Sequence, residues 1–544
     1  MRRALRFGIA AAGAGALLAA SPGSATASGG FSVSGKKGPF VKQVAGRNFS
    51  QAQGAGGSLG LAAVNQGQFQ AARLRMPATE ARIKAFLDRV ESTWPYAKTR
   101  PVRVYVLGVG YYNAQAFPDG SIVVAFGLLD KAQSDDEVAF VLGHELSHIR
   151  LGHFAKGDSL NKQRETATRL GQLYAIGSVV GNGVGGFRSG GLGGGLGALA
   201  GGSASAARQA EATSDLLHFV TNVIVEPAWS RDQEDEADAL GFDLSEGSRY
   251  AADTASARVF DTIQADADTR KSLADTLQTQ LKKQLADISP GGAASTVLGG
   301  GDSIKHALFS GAGRLALGVA GSAEGGPKHR APEERKKGIA DYSTDAYPQG
   351  VPLQEEKQAW LTEVRADREY AEAKTTVQAV SRAMKLRAAG DFKGAEEAIQ
   401  PALATSFRTA PLVLNESARL RDDMGDTSGA DQLFRQAHQS PDQTVDGYLD
   451  HIRMLYRTGQ FDAANAVIEE GTDRFKDDKP FLSLQVAIAK KSGQTAQAET
   501  YLKRCRDTGD AALQKDCDLA AGPDAAPRKS SPFGLPHIPI IGGR

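Results

Sequence analysis

Apolar positions recur at helical spacing over Thr79 to Ser92 (Ile83, Phe86, Leu87 and Val90) and then alternate like a strand from Val102 to Leu107. After a turn at Pro118-Asp119-Gly120, a short β-branched run from Ile122 to Phe126 predicts another strand. That strand leads into a helix over Ser134 to His153, whose Val138, Phe140, Val141 and Leu142 supply bulk for burial. Ser134 with Glu137 forms a capping-box pattern, and Asp135 and Asp136 suit the positive end of the helix dipole. The strand from Ile122 has two readings: an exposed edge that can add a substrate backbone as one more strand, or an internal core strand. Further on, Asp158 to Ser178 has a helical pattern, Ser230 with Gln233 can cap a helix running to Asp243, and Ser248 to Ile288 is a polar helical stretch. The pattern is α+β and mainly α.

Between these elements lie stretches without periodicity. Gly29 to about Leu74 is Gly, Ser, Gln and Ala with few large apolar residues, and it reads as a flexible lead-in (28–74) with no visible chemistry. Gly181 to Ser203 holds too many glycines for a stable transmembrane helix and is interrupted by Arg188. A mobile loop is the default there, and a lid or a membrane-touching flap is the alternative. Ser289 to Gly326 is again Gly-, Ala- and Ser-rich, so 244–326 reads as an insertion and a candidate lid.

From about Glu355 the pattern changes to alanine-rich amphipathic helices, and it repeats. Gly390, Gly425, Gly459 and Gly493 are 35, 34 and 34 residues apart, and each is followed five positions later by Ala395, Ala430, Ala464 or Ala498. Seven further on stand Ala402, Ala437, Gly471 and Cys505, small residues that let two helices of a hairpin approach closely. This period resembles the tetratricopeptide repeat, which implies an all-α solenoid over 355–518 whose concave face binds protein segments or packs on the rest of the chain. The tail from Gly522 is rich in Pro, Gly and Ser and is expected to be disordered, although Leu535 to Ile541 could occupy a groove.

A chain of 544 residues exceeds one core, and roughly three or four domains is the prior. With 63 basic against 62 acidic residues there is no overall electrostatic footprint for nucleic acid or an anionic membrane. Arg2, Arg3 and Arg6 precede an apolar run from Phe7 to Ala20, and Ala25-Thr26-Ala27 has the small-x-small pattern of signal-peptidase cleavage. Residues 1–27 are therefore expected to be a removed export signal, with the mature chain starting near Ser28. Export means an oxidising compartment, in which the only two cysteines, Cys505 and Cys517, are expected to pair rather than remain as buried thiols.

The chemistry concentrates in His144-Glu145-Leu146-Ser147-His148. Residues four apart share a helix face, so His144 and His148 can offer two imidazoles to one Zn2+, and Glu145 beside them can take a proton from water acidified by the metal. Downstream, Glu234 and Asp238 are likewise four apart. Zinc hydrolases commonly use two His and one Glu, so Glu234 is the expected third ligand, and Asp238 is placed to hold a ligand imidazole through its other nitrogen. The bland reading of Glu234-Asp235-Glu236 is a solvated acidic face.

The order HExxH and then SRxxExEADxxG, together with AFPDGSIVVAFGLLD before the motif, resembles the M48 metallopeptidases, a group that includes HtpX-like and periplasmic BepA-type proteases. The likeness runs with gaps over about Thr79 to Ala340 and implies a zincin-type domain, 75–345, with a small sheet and an active-site helix. A metzincin pattern is excluded, because it needs Gly and His where Leu151 and Phe154 stand. His153 matches a histidine common in the family, but five residues past His148 it is expected to point away from the ligands and to be structural. His329 to Arg335 is similar to the family's HPxxxxR element, with Arg330 where proline is usual. The resemblance implies that His329 and Arg335 stabilise the tetrahedral intermediate; a surface basic cluster is the alternative. The expectation is a periplasmic zinc endopeptidase acting on unfolded or misassembled envelope proteins, with the repeats recruiting substrate or outer-membrane assembly proteins, no nucleic acid, and possible peripheral membrane contact. Two other readings stay open, a scaffold or chaperone with a latent zinc domain and a membrane-associated protease.

Overall fold

Among the described residues the strands form one small sheet, its two longer strands rich in β-branched residues, and the other regular elements are helical. The structure, a computed structural model, describes residues 31–47, 72–98, 101–117, 119–155, 212–213, 216, 229–288, 330–350 and 357–521. The expected signal segment, the glycine-rich stretch 181–203, residues 289–326, His329 and the tail from 522 lie outside the described residues.

Strands β1 (Arg103–Leu107), β2 (Ala114–Ala116) and β3 (Ser121–Ala125) pair in the order β1-β3-β2. β3 runs parallel to β1, with Val104 opposite Ile122, and antiparallel to β2, with Gln115 opposite Val123. β3 is therefore the internal strand of the two readings, and every residue of it is buried. The neighbouring edge is β2. Phe117 and Asn113 bond to β3, so by the alternation of an antiparallel ladder the backbone groups of Ala114 and Ala116 turn outward.

Around the sheet stand α1 (Pro77–Glu91), α2 (Phe126–Lys131), α3 (Asp135–Leu151), α4 (Arg231–Gly247), the 37-residue α5 (Ala252–Ile288) and α6 (Pro332–Ala346). α3 is buried from Asp135 to Arg150. Ser134 caps it by accepting from Glu137 N, but the Glu137 carboxylate turns to Arg258 and Gln133 N, so the reciprocal half of that box is missing. α4 has both halves, through Ser230 and Gln233. α3 and α4 cross where two glycines meet: a Cβ on Gly241 would lie 2.8 Å from His144 N, and one on Gly143 would lie 3.0 Å from Gly241 O. Only hydrogen at both positions lets the backbones touch.

Residues 31–47 depart from the expected flexible lead-in. Val33, Phe40 and Val44 are buried, Ser32 N donates to Asp235, Val41 N to Asp243, and Phe40 N to the Tyr342 hydroxyl. Three apolar side chains and a few backbone donors suffice to dock a segment whose average composition looks structureless.

The C-terminal half comprises α7 (Ala359–Ala366), α8 (Arg368–Ala388), α9 (Phe392–Leu403), α10 (Pro411–Asp423), α11 (Thr427–His438), α12 (Val445–Arg457), α13 (Phe461–Phe475), α14 (Leu482–Lys491), α15 (Thr495–Asp507) and α16 (Ala511–Ala521). α8/α9, α10/α11, α12/α13 and α14/α15 form successive hairpins. The periodic glycines terminate the first helix of each, with left-handed φ of 81°, 88°, 76° and 76°. The small residues are buried, and a Cβ on Gly471 would meet the Tyr448 ring of the same hairpin at 3.1 Å and the Phe481 ring just beyond it at 2.8 Å. Cys505 and Cys517 are disulfide-bonded between α15 and α16. One apolar core runs from Val33 through the sheet to Val413, so the first hairpin shares the interior of the sheet-bearing half.

Candidate metal centre

The crossing of α3 and α4 brings His144, His148 and Glu234 together, with one donor atom from each lying within 4.8 Å of the others. His144 Nε2 is 3.1 Å from His148 Nε2, and each is 3.7 Å from a Glu234 carboxylate oxygen. The edge of a tetrahedron with metal–ligand bonds of about 2.0–2.1 Å is about 3.3 Å, so these separations fit one small cation. The donor set, two imidazoles and one carboxylate, suits Zn2+ and leaves a coordination position open. Burial, reinforced by the neighbouring imidazoles of His144 and His153, pushes the His148 pKa well down and favours the neutral ring that ligation requires.

Each imidazole is held from behind. Asp238 Oδ1 lies 2.9 Å from His144 Nδ1. Arg335 grips the same carboxylate with Nε at 2.8 Å and Nη2 at 2.6 Å, and Nη2 lies 3.5 Å from Glu234. Although burial raises the Asp238 pKa and lowers that of His144, the charge and hydrogen bonds of Arg335 hold Asp238 down, and Asp238 in turn holds His144 up.

His148 Nδ1 is 2.9 Å from His153 Nδ1, and its ring stacks on Trp229 with centroids 4.4 Å apart. His153 thus faces a ligand rather than pointing away from it, contrary to the expectation from spacing. That expectation assumed a continuous helix, whereas α3 ends at Leu151 and Gly152 takes a left-handed conformation (φ 69°) that folds the chain back. Gln233 Nε2 then holds the His153 carbonyl at 3.0 Å. Two cues in the sequence mark these positions: a glycine at the helix end, and a tryptophan just before the Ser230 cap, where an apolar residue often fixes the entry of the chain.

Glu145 Oε2 accepts from Ala116 N at 2.7 Å, the outward-facing amide of β2. Burial pushes the Glu145 carboxyl up to about 7; the charge of His144 lowers it and that of Glu234 raises it.

The bland reading of the acidic run fails at Asp235 as it does at Glu234. Asp235 takes the fork of Arg330 at 2.9–3.2 Å as well as Ser32 N, and Asp235 and Arg330 are both buried. Arg330 thus pins the start of α6 to α4, while Lys336 is half-buried and paired with Asp261 and Lys337 is exposed. Of the expected oxyanion pair, Arg335 lies in the site with two of its nitrogens committed to Asp238, and His329 is outside the described residues.

Residues 77–289 match the sequence family described as Peptidase family M48. Metalloprotease YcaL of Escherichia coli (strain K12) is 31% identical over 144 residues, 26% of this chain and 44% of that protein. Metalloprotease LoiP of the same organism is 43% identical over 58 residues, 11% of this chain and 23% of that protein. Mitochondrial metalloendopeptidase OMA1 of Arabidopsis thaliana is 45% identical over 58 residues, 11% of this chain and 12% of that protein. The chain spans less than half the length of each of these relatives.

Proposed function

We propose that this chain is an exported, zinc-dependent endopeptidase: an M48 peptidase domain of the periplasmic BepA type, joined to a tetratricopeptide-type helical array. The observation that carries the reading is the convergence of His144, His148 and Glu234 beside Glu145, with the Glu145 carboxylate resting on an outward amide of the sheet edge. Zn2+ held by the three ligands would supply Lewis acidity toward water and the scissile carbonyl. An extended substrate would lie along β2 and take over the Ala116 amide, freeing Glu145 to draw a proton from water and return it to the departing amine. Arg335, through the Nη1 that its fork leaves out, and His329 would steady the developing oxyanion, where one donor is typically worth about 3 to 4 kcal/mol.

A protease of this kind acts on proteins or peptides. We assign it unfolded or misassembled envelope proteins, delivered by the helical hairpins, with outer-membrane assembly proteins as the partners they would bind. The bonded Cys505–Cys517 pair suits the oxidising periplasm that the N-terminal sequence suggests. No described helix is long and apolar enough to cross a membrane.

One observation favours a second reading, a scaffold with a latent zinc domain: His144, Glu145, His148 and Glu234 are each less than a tenth exposed. The experiment is degradation of an unfolded model protein by the zinc-loaded wild type and Glu145→Gln. The expected result is zinc retained and turnover reduced by about 10²–10⁴-fold in the variant. Equal cleavage by both would remove Glu145 from the mechanism, and inactivity of both would favour the latent scaffold.

A further inference from the structure

His148 heads a second chain of polar contacts that leaves the centre, separate from the one through His144 and Asp238. His153 Nδ1 lies 2.9 Å from His148 Nδ1, His153 Nε2 lies 3.2 Å from Glu236 Oε2, and Glu236 receives Arg47 in a two-pronged fork, Nη1 at 2.9 Å and Nη2 at 2.7 Å. Arg47 belongs to the N-terminal segment, nearly a hundred positions before the motif.

We infer that Arg47 is a positioning residue of the metal centre, acting through Glu236 and His153 to fix the tautomer and orientation of His148. With both rings neutral, one assignment of protons satisfies the contacts of this chain. A charged carboxylate can only accept, so the hydrogen on His153 stays on Nε2 and points at Glu236. His153 Nδ1 is then an acceptor, which obliges His148 to carry its hydrogen on Nδ1 and leaves its Nε2 lone pair free for a metal. Without the guanidinium, Glu236 can swing to solvent, since a fifth to a quarter of its side chain is already exposed. His153 is then free to turn over or exchange tautomer, and the constraint on His148 is lost. The centre would thus be completed by a residue remote in sequence, and its affinity for metal would depend on Arg47 holding Glu236.

The inference rests on the metal-centre reading, and the test separates the two. The full chain is stripped with a chelator and titrated with Co2+, following its ligand-field absorption and competition with a chromophoric chelator. Wild type, Arg47→Ala, Arg47→Lys, Gln43→Ala and His144→Ala are compared. Gln43 bonds the Ser34 and Gly38 carbonyls within the same segment without touching the relay, so it reports on the local fold of that segment. The expected result is about a tenfold loss of Co2+ affinity and an altered ligand-field band in Arg47→Ala. Arg47→Lys should restore part of both, and Gln43→Ala should match wild type. Wild-type affinity and spectrum in Arg47→Ala, or an equal loss in Gln43→Ala, would overturn the relay while leaving the centre intact. If wild type binds Co2+ no better than His144→Ala, the metal-centre reading falls and the relay falls with it.

Discussion

Glu234, Asp235, Glu236, Asp238 and Asp243 crowd into ten residues of α4, a density of like charge that destabilises a bare helix face. Each is answered by its own partner. Glu234 faces the imidazoles, Asp235 takes Arg330, Glu236 takes Arg47 and His153, Asp238 takes Arg335, and Asp243 accepts from Tyr342, Tyr347 and Val41 N. Asp238→Asn should weaken the grip on Arg335 and the contact with His144, lowering metal affinity by about 10–100-fold in equilibrium dialysis, and an unchanged affinity would show the contact to be idle. Asp243 makes a pH-dependent contribution. Burial outweighs its donors and raises its carboxyl from 3.8 to about 6. The folded state therefore holds this proton more tightly than the unfolded one. Its stabilisation is full below about pH 4, is lost as pH rises through about 6, and amounts to about 3 kcal/mol at most. Urea unfolding at pH 4 and pH 7 should show wild type losing about 2–3 kcal/mol more than Asp243→Asn across that interval; parallel behaviour would place the titration elsewhere.

At the scale of elements, the site is a helix crossing. His144 and Glu234 converge because α3 and α4 meet backbone to backbone at Gly143 and Gly241. In Gly241→Ala the new methyl would meet His144 N and Cα, neither of which can yield as a flexible side chain would, so the helices must separate. Overpacking of this kind typically costs about 1–3 kcal/mol, and here it would also spread the ligands. Gly459→Ala provides the contrast: the position has open space but left-handed φ, so it should cost about 1–2 kcal/mol with no effect on metal binding. Thermal unfolding and metal titration of both variants check this, and an equal fall in metal affinity would mean that general loosening is responsible.

For the whole molecule, the boundary suggested near residues 345–355 by the change in composition is not a break in the interior. Leu361, Val364, Tyr370 and Val377 belong to the same apolar core as the sheet. Asp135 and Asp136, at the start of the helix that carries His144 and His148, accept from the backbone of Lys357, Trp360 and Leu361. Arg365 reaches the carbonyls of Leu129, Asp130 and Ala132, and Arg75 pairs with Asp442. A fragment ending at residue 350 should therefore expose core surface and fail to unfold cooperatively, whereas one ending at 425, after the first hairpin and the next helix, should fold and bind metal. Calorimetry of the two fragments decides it, and a cooperative transition in the shorter one would restore the compositional boundary.

Features that depend on near neighbours were legible in the sequence. The HExxH face, the capped starts of α3 and α4, the glycine-marked hairpins and the strand before the motif all follow from periodicity, capping and turn chemistry, which act over a few residues. What links remote positions was not legible. Arg47 reaching Glu236, Arg330 buried on Asp235, β3 lying between its neighbours, and a core shared across a change in composition each require chain segments to meet, and no local propensity encodes which segments do. His153 shows the border between the two. Its residue type was visible, but its role turned on one glycine that ends a helix, because direction in space is set by the backbone path rather than by spacing along the chain.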